Sequence, residues 1–248
     1  MAVTFDALGA GSHVTSTPLT WNHTCGASAN YLIVVIAVDA ASSDATATAT
    51  ATYNSVSMSS LQVWHSGGAG QAHGYVQMFG LASPATGSAL QVSVSIGGAG
   101  TWDNAAGNSM SFIGVTAIGT PATGDGVVSS TSGSVTVPST TSGNLIAVGV
   151  CNGSGGLAFT NGTSEWVNLD GGGTGGAAGF CSGAYNTSTG SGVTTNFTQT
   201  ADFYGAVAVE LLATAPASAG PALPSLSMGR RPVIVVSNAG WRTGQHSR

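Results

Sequence analysis

Few residues in this chain are suited to chemistry, and they are scattered. Gly179-Phe-Cys-Ser-Gly183 has the outline of a nucleophile elbow centred on Cys181. An elbow needs a sharp turn from a strand into a helix. No helical periodicity follows Gly183, so no catalytic residue is expected there. Gly68-Ala-Gly70 and Gly173-Thr-Gly-Gly176 loosely match phosphate-cradling loops. Both precede strand-like runs rather than a helix whose N-terminus could hold an anion. His13, His23, His65 and His73 lack the short ligand spacing of a metal centre. The nine acids form neither a close pair nor an Asp-x-Asp calcium pattern. The residue pattern therefore leads us to expect no metal, no cofactor and no enzymatic activity.

Recognition chemistry is better represented. Trp102 and Trp166 stand beside Gly-rich segments, with Asp103 and Glu165 next to them. An exposed ring beside a polar side chain can stack on a sugar, and the same rings can equally cap the ends of a core. The C-terminal residues are the most specific feature. All four basic residues, Arg230, Arg231, Arg242 and Arg248, lie there, and lysine is absent. The nine acids all precede them, so the formal charge is −9 for the body and +4 for the tail, summing to −5. Between the arginines, Val233, Ile234, Val235 and Val236 form a strand-forming run, followed by Trp241. Such a segment can add a strand to the open edge of another subunit. Arginine and tryptophan are frequent anchors of interfaces. Four arginines on an acidic body make too weak a footprint for nucleic acid.

The elements that would position these residues read as strands throughout. The charged fraction is 5%, against roughly 25% in ordinary soluble domains. Polarity comes instead from Ser, Thr, Asn and Gly, and with so little charge few repulsions oppose association. The longest apolar run, residues 31–38, is far short of the roughly 20 needed to cross a bilayer as a helix. No signal-peptide pattern is visible at the start, so neither membrane insertion nor export is expected. Of three cysteines, Cys151 and Cys181 either face each other on paired strands or stand as free buried thiols.

Short apolar runs bounded by Gly, Ser and Asn predict an all-β chain, an antiparallel β-sandwich of jelly-roll or Greek-key type. Residues 30–38 read as a central strand covered on both faces. Residues 90–96 alternate and read as half-solvated. Residues 45–52, with their Ala-Thr repeat, read as an edge strand, and residues 111–118 as the strand closing a first half. The second half repeats the order of elements. Residues 144–150 parallel 30–38, residues 179–198 parallel 74–96, and residues 204–212 parallel 112–118. The expected organisation is a body over 1–213, a Pro/Ala/Ser-rich linker over 214–229, and a basic anchoring tail over 230–248.

On Leu19-Thr-Trp-Asn-His23, residues 30–38, 75–81 and 90–96, together with the lysine-free composition and the Pro-Ala linker before a basic end, the chain resembles the small all-β virion surface proteins of tailed bacteriophages of actinobacteria. The resemblance implies a non-enzymatic head-decoration, head-fibre or minor tail role. It also implies a homo-oligomer in the virion, with the major capsid or tail protein as partner. A carbohydrate-binding module meeting a host surface glycan through Trp102, Asp103 and Trp166 is the other expectation.

Overall fold

With almost no charge to solvate helix faces and β-branched runs throughout, the chain buries itself as sheets. The computed structural model describes residues 2–40, 48–66, 74–97, 102–138, 140–170 and 179–213, and these contain strands and no α-helix. One compact unit spans Met1–Ala215. The tail residues at 230–248 lie outside the described residues.

The first half begins with β1 (Thr4–Leu8), β2 (Ser12–Val14), β3 (Leu19–His23), β4 (Tyr31–Ala40) and β5 (Ala49–Tyr53). It continues with β6 (Val56–Ser57), β7 (Ser59–His65), β8 (Gly74–Ala82), β9 (Leu90–Ile96) and β10 (Trp102–Ile113). Its inner sheet runs β1-β10-β4-β8-β7, with β2 also on β10, and its outer sheet runs β3-β9-β5-β6. The strand β4 explains this layering. Its entire span from Tyr31 to Asp39 is buried, and its side chains alternate between two cores. Leu32, Val34, Ile36 and Val38 pack with Leu19, Trp21, Ala51, Val92 and Val94 of the outer sheet. Ile33, Val35 and Ala37 face the second half.

That half comprises β11 (Val115–Ile118), β12 (Ala122–Val137), β13 (Leu145–Asn152), β14 (Ala158–Phe159), β15 (Thr163–Asp170), β16 (Phe180–Thr187) and β17 (Val193–Ala213). Its inner sheet runs β11-β17-β13-β16-β15. The strands β12 and β17 form a long bent hairpin. Residues 122–126 pair with 204–208 in the inner sheet, and 132–137 pair with 193–198 beyond two register shifts. The second stretch, with β14 beside it, covers the outside of the inner sheet. There Val135, Val137, Leu157 and Phe197 pack on Ile146, Val148, Val150 and Ala206.

The two halves match strand for strand. The inner order β10-β4-β8-β7 corresponds to β17-β13-β16-β15, and the outer β3-β9-β5 corresponds to β12-β17-β14. Where the first half uses two strands in each of two places, the second uses one bent strand. The inner sheets then pack on each other through a shared core of Ile33, Val35, Met78, Met110 and Phe112 with Leu145, Ala147, Val207, Val209 and Leu211. The result is four layers deep.

Three readings from the chain need correction. Residues 111–118 are not one strand: β10 ends at Ile113, and β11 starts at Val115 in the other half. The counterpart of residues 204–212 is therefore β10, while β11 corresponds to β1. The strand β5 is an edge only in part, because the two-residue β6 pairs with its Thr52 and Tyr53, while residues 45–47 of the expected edge strand lie outside the described residues. Residues 193–213, read as two strands, are continuous.

Candidate functional site

The strands leave the body with two unlike ends. At one end, short turns are bolted down by the same device in both halves. Asn30 opens β4: its Oδ1 accepts from Val115 N (3.1 Å), and its carbonyl accepts from Ser83 N (2.9 Å). Asn144 precedes β13 and repeats both bonds, from Ala213 N to its Oδ1 (2.8 Å) and from Ser188 N to its carbonyl (3.0 Å). A carboxylate secures the neighbouring turn each time. Gly26 N and the Ser111 hydroxyl donate to Asp6 Oδ2 (2.8 and 2.6 Å), and Thr141 N and Asn144 Nδ2 donate to Glu210 Oε1 (2.6 and 2.8 Å). No Lys or Arg precedes Arg230, so among the described residues the donors to these carboxylates are neutral. The described chain stops at this end, at Ala213.

The opposite end is where the Gly-rich connections depart. In the first inner sheet Trp102 pairs with Ala40, Asp39 with Gly74, and His65 with Tyr75. In the second, Asn152 and Asp170 both pair with Phe180. Trp64 and Gly205 set these two groups at the same end, since a Cβ on Gly205 would fall within the Trp64 indole. Residues 41–47, 67–73, 98–101 and 171–178, which include His73, lie outside the described residues. What is described here is a polar rim above the core. Buried Asn104 donates to Asp39 Oδ2 at 3.2 Å, and Ser66 Oγ accepts from Gly74 N at 3.1 Å.

The proposed sugar-contact residues divide. Asp103 is exposed because a register shift between Trp102 and Asn104 lets it bulge out of β10. Trp102 is half-buried against the core between the first half's two sheets. Trp166 belongs instead to the core between the halves, 9% exposed, with its ring lying where a Cβ on Gly183 would be. The structure places Trp102 and Trp166 in different layers and does not bring them together. Glu165 lies beside Trp166, and its carboxyl is raised by desolvation. The anchor residues Arg230, Arg231, Val233, Ile234, Val235, Val236, Trp241 and Arg242 lie outside the described residues.

The elbow reading of Cys181 fails on geometry. Cys181 sits within β16, directly opposite Cys151 of β13, and both thiols are free and buried. Desolvation pushes each up to about 12, so neither is a thiolate at neutral pH.

One constellation escaped the sequence reading. Ser109 Oγ lies 2.9 Å from His23 Nδ1 and accepts from Trp21 Nε1, also at 2.9 Å. The residues come from β10 and β3, 86 positions apart for the serine–histidine pair. No spacing rule could join them. Ser109 is 0% exposed and His23 1%, so no substrate reaches the hydroxyl. Burial drives His23 down to about 4 despite the opposing pull of Asp6. The group bolts the outer sheet to the inner one. Among the described residues no cluster of three or more His, Cys, Asp or Glu could hold a metal. No helix there is long and apolar enough to cross a membrane.

The fold and the two ends thus define a class, an all-β body of two matching sandwiches with a fastened end and a Gly-rich end. Comparison with protein-family models, curated proteins and solved structures finds no match.

Proposed function

We propose that the protein is a non-enzymatic structural component of a bacteriophage particle, docked through its basic C-terminal tail with the Gly-rich end facing outward. The observation that carries this reading is the polarity of the body. The last described residue, Ala213, lies on the end locked by Asn30, Asn144 and Glu210, while the strand ends that flank the Gly-rich segments of the sequence lie on the other. A tail departing from the rigid end can hold the body on a larger assembly without obstructing the opposite surface. The charge division supports it, because the positive charge all lies beyond the body. A tail of +4 can engage an acidic partner surface that the body of −9 would itself repel.

Truncation after Gly229 is expected to leave a folded body that no longer joins particles in assembly reactions. Incorporation of the truncated body at the full-length level would overturn the anchoring. The second reading, a glycan-binding body, keeps Trp102 and Asp103 at the outward end. In the same preparation it would appear as glycan binding abolished by Trp102→Ala.

A further inference from the structure

The packing of the two halves has the pattern of a homodimer. The pairs of facing strands come in reciprocal sets: β8 meets β13 and β16 meets β4, β8 meets β17 and β16 meets β10, and β7 meets β17 and β15 meets β10. The self-complementary pair β4 and β13 lies between them. Such reciprocity is the signature of an isologous interface, where each side presents the same patch. The face is apolar on both sides, with Val35 filling the space left by Gly149.

Each β-ladder among the described residues lies within one half. The ladders of β1 to β10 stay among β1 to β10, and those of β11 to β17 stay among β11 to β17. The halves are joined by one residue, Gly114, between Ile113 and Val115. It holds φ at 81°, and a Cβ there would stand 2.8 Å from the carbonyl oxygen of Ala2.

We propose that this interface also forms between two copies of the chain. The copies open at Gly114 and exchange halves, so that the first half of each packs on the second half of the other. Exchange breaks no strand pairing and rebuilds the same apolar contact in trans. Nothing in the face distinguishes the chain's own half from that of a neighbour. The closed monomer prevails in dilute protein because the linked half is present at high effective concentration. A one-residue hinge in a left-handed conformation is the element that sets the balance. Straining it favours the exchanged form, as short strained hinges do. For a particle protein crowded among identical copies, exchange supplies a dimer without any further surface.

The test uses the full chain refolded over a range of concentrations, with mass read by light scattering. The dimer fraction should rise with concentration at refolding and persist on later dilution. Gly114→Ala, which places a side chain at positive φ, should raise the dimer-to-monomer ratio about tenfold. Gly114→Asn, better tolerated there, should raise it less, and it carries the test should the alanine variant fail to fold. Two differently tagged preparations should give mixed dimers when refolded together and none when mixed after folding. A monomer at every concentration in wild type and both variants would overturn the proposal. Dimers that exchange subunits promptly between folded preparations would overturn it too, since they would report ordinary surface association.

Discussion

At the scale of single residues, the body is organised by polar side chains, Glu210 and Asn144 buried and Asp6 and Asn30 half-buried, whose described partners are uncharged. At the fastened end Asp6 and Glu210 each accept from one backbone N–H and one side-chain donor, and the side-chain oxygens of Asn30 and Asn144 each accept from a backbone N–H. Stripping one partner from such a group costs more than the bond itself contributes, because the other is left desolvated. His23 is the residue whose burial has a consequence readable by pH. Its folded value is about 4 against 6.5 when exposed, with desolvation the main cause. Between these values the unfolded chain binds a proton that the folded chain does not. Stability is therefore full above pH 6.5, falls as pH drops towards 4, and levels off below. Complete passage through this window costs about 3 kcal/mol. Denaturant unfolding at pH 7 and pH 4.5, for wild type and His23→Gln, measures it. The variant should be less stable at pH 7 and lose less between the two, and an equal loss in both would place the acid sensitivity elsewhere.

At the scale of elements, close approach is bought with glycine in the middle of strands. On β16, Gly183 sits opposite Trp166 of β15, and the six-membered ring of the indole occupies the space of the missing side chain. Gly183→Ala should destabilise the protein by about 1–3 kcal/mol through overpacking. The same change made on a Trp166→Ala background should cost little, because the ring it strikes is gone. Thermal unfolding of the four proteins in this cycle tests it, and additive effects would contradict the packing. Glycine content therefore had two meanings in this chain. In the runs around 67–70 and 171–176 it marks connections, while at 149, 183 and 205 it makes room for Val35, Trp166 and Trp64. Composition alone could not separate them. The strand β10 was obscured for a related reason. Its Asn104, Asn108, Ser109 and Ser111 are all buried, and a polar, small-residue run reads as a loop until neighbours on both sides satisfy it.

At the scale of the whole molecule, the two halves share one core and should unfold together. Val35 and Met110 of one half belong to the same core as Ala147 and Val209 of the other. Calorimetry should give one transition, with calorimetric and van't Hoff enthalpies equal. Two resolved transitions would mean that each half is stable with its inner face exposed. Much of this organisation was legible in the chain by itself. Period-2 runs and turn residues determined an all-β sandwich, the double-covered strand at 31–38, and a second half repeating the first, because side-chain alternation depends only on local sequence. The confinement of cations to 230–248 was equally plain. The tertiary structure alone decided where residues 111–118 divide, which core each tryptophan faces, and that Ser109 meets His23. Those outcomes depend on which strand lies opposite which, and pairing partners as far apart as Thr4 and Ile113 leave no periodic trace in the chain.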